Sequence, residues 1–223
     1  DYAAKTESST LQSSGDSYVY NIDIDYYSAA DVPAFKKEPL VYNYRQYYSG
    51  VKYDIKSLQI PGALYEDYSV SWEDVDKNYL ESDLYIRFKA ACQFKDETAA
   101  IAAEATDEKK IEAVVKLVQE KVTWDESYAI LPEPLGQVVK ARSGSNVDMN
   151  CLAAGCLREL GLTVEPVMVK LRSTGVLQNY QPELNPFDTF ILRVVTSSGD
   201  IHYLDCGSSK GYLNVLDPLM LIS

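Results

Sequence analysis

The sequence predicts an α+β protein, and three observations carry that reading. Tyrosine-rich, alternating segments fill the first third of the chain. Helical periodicity runs through the middle, and a period of two returns after residue 162. With 223 residues there is ample chain for a hydrophobic core. The expected division is a β-rich region over 1–68, part of a sandwich, followed by a second domain over 69–223.

Residues 1–16, DYAAKTESSTLQSSGD, are polar and read as a flexible or edge segment. In SYVYNIDIDYY, Tyr18, Tyr20, Ile22, Ile24 and Tyr26 alternate with Val19, Asn21, Asp23 and Asp25, the pattern of a half-buried strand. NYRQYYSGVKYDIKSLQI predicts two more strands about a Ser49-Gly50 turn. Fourteen of the 18 tyrosines precede residue 86, which fits a sheet surface and, functionally, a sugar- or peptide-binding face.

Helical character begins near Trp72, with Ser71 as N-cap and Val75 and Tyr79 on one face. DETAAIAAEA continues in helical register. DEKKIEAVVKLVQEKVTW is the clearest helix: Ile111, Val114, Val115, Val118 and Val122 form its apolar stripe, and Asp107 and Glu108 suit its first turn. A short helix follows in EPLGQVVKARSG, where Pro134 favours the start.

SGSNVDMNCLAAGCLRELG then reads as a turn opening into an amphipathic helix. Met149, Leu152, Ala153, Cys156, Leu157 and Leu160 form its core stripe, with Cys151 on the opposite side. TVEPVMVKL and DTFILRVVT are strands, and SSGD at 197–200 is a hairpin connection into IHYLDC.

A net charge of −12 and a pI near 4.6 argue against a phosphate-binding surface, so nucleic acid is not an expected partner. No apolar run is long enough to span a bilayer. Cys92, Cys151, Cys156 and Cys206 form no CxxC pair, so neither a metal nor a cofactor is expected. Cys151 and Cys156, five apart on one helix, point in different directions and do not suit a bridge. The apolar end, LNVLDPLMLIS, raises the expectation of a longer native chain.

Gly144, Asp148, Leu157-Arg158, Gly161 and Pro166-Val167 occur in the order and spacing of a catalytic helix and the strand after it. DVPAFKKEP, YSVSWEDVDK and VTWD add upstream matches. In these motifs the chain, over roughly 30–223, resembles bacterial transglutaminase-like domains, relatives of papain-type cysteine enzymes. The resemblance implies a central helix packed on an antiparallel sheet. It places Asn146 where the family has its nucleophilic cysteine and Thr189 where it has its histidine. Asp205 matches the aspartate that orients that histidine, and Trp124 the tryptophan before the site.

Cysteine acyl transfer needs a thiolate and an imidazole that takes and returns its proton. Asparagine and threonine supply neither, and the single histidine, His202, lies on another strand. His202 and Asp205, three apart, project to opposite faces of a strand, and His202 reads as a solvent-side residue. No catalytic residue is therefore assigned.

The expectation is a pseudoenzyme, either binding a peptide or glycan in a cleft flanked by Trp124, Asn146, Thr189 and Asp205 or serving as a scaffold. The resemblance implies export to the periplasm or cell surface. The alternative is a cysteine-dependent acyl transferase or protease using Cys151 as a displaced nucleophile.

Overall fold

The computed structural model describes residues 5–14, 19–28, 57–60, 64–68, 70–175, 185–207 and 213–220, and isolated positions between 31 and 55 and at 177, 182 and 183. Two compact units follow one another, Asp1–Tyr53 and Asp54–Ser223. In the first, β1 (Lys5–Ser14) and β2 (Val19–Ser28) pair antiparallel from Lys5↔Ser28 to Ser14↔Val19. Within the polar segment read as flexible or edge chain, Lys5–Ser14 is thus a strand, and an edge of a two-stranded sheet. Its backbone groups find ladder partners in the tyrosine-rich strand, so it needs no apolar pattern of its own. The turn expected at Ser49-Gly50 lies outside the described residues.

The second unit opens with a hairpin of β3 (Ser57–Ile60) and β4 (Leu64–Asp67). Helix α1 (Trp72–Leu80) starts at Ser71 as expected: Ser71 Oγ accepts from Asp74 N, and Asp74 returns a carboxylate to Ser71 N at 2.9 Å. The helical stretch then breaks. Ser82 Oγ donates to Tyr79 O at 2.7 Å, and α2 (Asp83–Phe88) begins afresh. α3 (Lys95–Ile101) is shorter than its alanine-rich sequence predicts, because the chain turns there to present Thr106 as the next N-cap.

In α4 (Asp107–Lys121) the predicted stripe is the buried one: Ile111, Val114, Val115, Val118 and the capping Val122 all lie in the core. Asp107 at its first turn also holds the 196–200 hairpin. It accepts from Ser197 N at 2.8 Å and from Ser197 Oγ, and pairs with Lys110 Nζ at 2.9 Å. These donors, Ser197 first, lower its carboxyl pKa to about 2. A depressed folded pKa adds stability above the unfolded value, roughly 3.9, that is lost as pH falls toward the folded one. The stability gap between wild type and Asp107→Asn should therefore be constant near neutrality and close between roughly pH 4 and 2. Urea titrations across that window check it, and a gap independent of pH would remove the linkage.

β5 (Thr123–Trp124) pairs parallel with β6 (Ser143–Gly144) across α5 (Leu135–Ala141), which Pro134 immediately precedes. α6 (Asn146–Glu159) leads to β7 (Thr163–Val169), β8 (Thr189–Val195) and β9 (Ile201–Leu204), an antiparallel sheet with β8 in the middle. Gly199 turns the β8–β9 hairpin at φ +91°, where a side chain would be strained. Residues 215–220, ending in a 3-10 turn at Pro218–Met220, cover the sheet's other side, where Met220 joins Val169, Leu171 and Ile191.

α6 corrects one expectation. It is not amphipathic in place: every residue from Asn146 to Leu157 is buried. The sheet strands β7 and β8 lie on one side, α4 on another, and α2, α3 and α5 complete the surround. Cys151, expected opposite the core stripe, is wholly buried because there is no open side. Gly155 permits part of this, since a Cβ there would sit 3.2 Å from Cys92 Cα. The mixed helices and small sheets make the chain α+β. Among the described residues no helix is long and apolar enough to cross a membrane.

Candidate functional site

The site forms where the N-terminus of α6 meets the first residue of β8 and the chain leaving β9. Ser145 caps the helix: its Oγ accepts from Asp148 N, and Asp148 Oδ2 accepts from Ser145 N at 2.8 Å. The other Asp148 oxygen accepts from Glu133 N at 2.6 Å, tying the segment before α5 to the helix start. Gly144 allows this tight turn, because a Cβ would lie 2.9 Å from Val138 Cγ1 and 3.0 Å from Asp148.

This cap fixes Asn146 at the first helical position. Thr189 Oγ1 lies 2.7 Å from Asn146 Nδ2, from which it accepts, and 2.9 Å from Oδ1, to which it donates. Asn146 Nδ2 also points at Asp205 Oδ1, 3.5 Å away, and Ala129 N donates to Asn146 Oδ1 at 3.4 Å. Three segments distant in sequence thus bring Asn146, Thr189 and Asp205 together. Asn146 and Thr189 have no exposed surface and Asp205 has 1%.

The fourth member went unrecognised in the sequence. Asn150, one turn further into α6, donates from Nδ2 to Asp205 Oδ1 at 2.8 Å and to Phe190 O at 3.0 Å, and its Oδ1 accepts from Cys206 N at 2.8 Å. The available signal was its spacing of four from Asn146, which sets two amides on one face of the helix. Gly207 was also missed. A Cβ on it would lie 2.7 Å from Asn146 Cβ, 3.0 Å from Asn146 Cα and 3.4 Å from Trp124 Cδ1, so its bare backbone closes directly over the helix start.

Trp124 flanks this closure half-buried. Its indole Nε1 donates to Ser127 O at 2.9 Å, and its ring meets Tyr128 edge-on at 5.4 Å. Burial, with Asp217 and Asp205 nearby, pushes the Tyr128 hydroxyl up to about 12, so it stays neutral.

No protein-family model and no curated protein matches the chain. Among solved structures it is similar to a candidate protease from Parabacteroides distasonis, with 11% identity and a TM-score of 0.47. That alignment covers 96% of this chain, which spans 41% of the other protein's length.

The remaining sequence candidates lie elsewhere. Cys151 has no exposure, and burial, reinforced by Asp148, pushes its thiol well above the ordinary range. Cys206, beside Asp205, is raised likewise, chiefly by burial. His202 is not the solvent-side residue expected. It shares the inward parity of Leu204 on β9, and its Nε2 lies 3.8 Å from Glu108 Oε1 while Nδ1 meets Asn214 Nδ2 at 3.4 Å. It faces α4 rather than the cluster. Chemically, the site offers an amide that is no nucleophile, a hydroxyl bonded to that amide, and a carboxylate receiving two amides. Such a set can hold the three segments together by hydrogen bonds.

Proposed function

We propose that this chain is a transglutaminase-like domain whose catalytic positions have become a structural hydrogen-bond cluster, and that it acts as a non-catalytic scaffold. The observation that carries the reading is the closed Asn146–Thr189–Asp205 cluster. The positions that the family resemblance assigns to nucleophile, base and orienting acid lie side by side at a helix N-terminus. They are filled by groups that hydrogen-bond one another, and Gly207 closes over them. A peptide- or glycan-binding cleft gains less support, because a ligand would have to displace buried partners of the amide and hydroxyl. Export belongs to the same proposal and rests on the resemblance.

The competing reading, cysteine chemistry through Cys151, needs an accessible thiolate. Native iodoacetamide labelling, read by mass spectrometry over roughly pH 5–9, separates the two. All four cysteines should label no faster than the protein opens, since all are buried. Rapid alkylation of Cys151 below neutrality would restore the enzyme reading and end this one.

A further inference from the structure

We propose that Cys92 and Cys156 are a disulfide site that ties the segment between α2 and α3 to the central helix. Their sulfurs lie 3.5 Å apart as free thiols, although the residues are 64 positions apart in sequence. Three other contacts hold the Cys92 segment in that place. Gly155, with no Cβ, lets the Cys92 backbone approach the helix one residue before Cys156. Arg158 Nη2 donates to Phe88 O at 2.7 Å and to Ala90 O at 3.0 Å, clamping the same segment two residues after Cys156. Thr98 Oγ1 lies 3.4 Å from Cys92 Sγ on the remaining side. Closing from van der Waals contact to a sulfur–sulfur bond of about 2.05 Å requires side-chain rotation with little backbone travel.

The reaction is a thiol–disulfide exchange with a small-molecule disulfide as oxidant. The Cys92 thiolate, having lost its proton to solvent, attacks one sulfur of that disulfide, and the other leaves as a thiolate. Cys156 then gives up its proton and displaces the second small thiol from the mixed disulfide. Two protein thiols are oxidised to one cystine, and one disulfide is reduced to two thiols. Cys92 retains 6% exposure and Cys156 none, so exchange proceeds through local opening or before the core closes. Once made, the bond is shielded from reductants by the same burial.

The test uses the wild-type chain, unfolded and refolded in parallel with glutathione disulfide or with excess dithiothreitol. Non-reducing digestion and mass spectrometry should yield one linked peptide pair, Cys92 with Cys156, in the oxidised sample alone. Cys151 and Cys206 should remain alkylatable thiols after denaturation. The oxidised form should melt several degrees above the reduced form, and Cys92→Ser, at a residue outside any helix or strand, should abolish that difference. Four alkylatable thiols after oxidative refolding, or a link between any other pair, would overturn the proposal.

Discussion

Replacing Asn150 by leucine is expected to destabilise the fold by about 3–5 kcal/mol, although leucine keeps the same branched heavy-atom skeleton. Asn150 serves three partners from one buried side chain: the Asp205 carboxylate, the Phe190 carbonyl and the Cys206 amide. Leucine supplies none of these hydrogen bonds. A buried carboxylate losing a donor at 2.8 Å bears the largest share, because hydrogen bonds to charged groups are worth more than neutral ones. Against a typical total of about 5–15 kcal/mol, the loss is a large fraction. Denaturant titration should show a lower midpoint with an unchanged slope. Asn146→Leu should cost less, since its contact to Asp205 is at 3.5 Å. A loss under about 1 kcal/mol for Asn150→Leu would mean that the cluster does not hold the three segments together.

The second large effect is expected from one methyl group. In Gly207→Ala the added carbon meets Asn146 Cβ at 2.7 Å and Asn146 Cα at 3.0 Å. The latter is backbone in the first turn of the central helix and cannot step aside. The 206–207 segment cannot easily retreat either, because Cys206 N is bonded to Asn150 and Cys206 O accepts from Gln119 Nε2 at 3.2 Å. Overpacking of this kind costs roughly 1–3 kcal/mol and shifts whatever is softest. Here that is the Trp124 ring, whose Cδ1 lies 3.4 Å from the new methyl. The variant should therefore show red-shifted tryptophan emission and faster alkylation of Cys206 than wild type. Unchanged emission, labelling and stability together would show that Gly207 does not seal the site.

The two substitutions address different halves of the proposed function. Asn150 reports whether the polar cluster binds α6 to the sheet, and Gly207 reports whether the site is closed to ligands. A stable Gly207→Ala protein with a newly accessible Asn146 would return attention to the peptide or glycan reading.

Much of the second unit was legible in the sequence because its signals are local. Ser71 and its Asp74 partner start α1 through contacts three residues apart. The valine and isoleucine stripe of α4 follows from a period of 3.6, and the β8–β9 hairpin from SSGD between two alternating runs. The resemblance further placed Asn146, Thr189 and Asp205 at one site, and the structure brings those three side chains together. The helix starts, stripes and hairpin required no knowledge of what lay on the far side of the element.

What only the tertiary structure decided was what surrounds each element. An amphipathic pattern assigns α6 one buried face, yet neighbours on every side bury it from Asn146 to Leu157, which turns Cys151 from a surface thiol into core. Likewise the parity of His202 depends on which face of β9 meets α4. The closure of the site joins Asn146 to residues 43 and 59 positions away, with Gly207 over it. Periodicity records how a segment prefers to fold. Burial, by contrast, is a property of the other segments that come to lie against it, and at α6 those segments are α2, α3, α4, α5, β7 and β8.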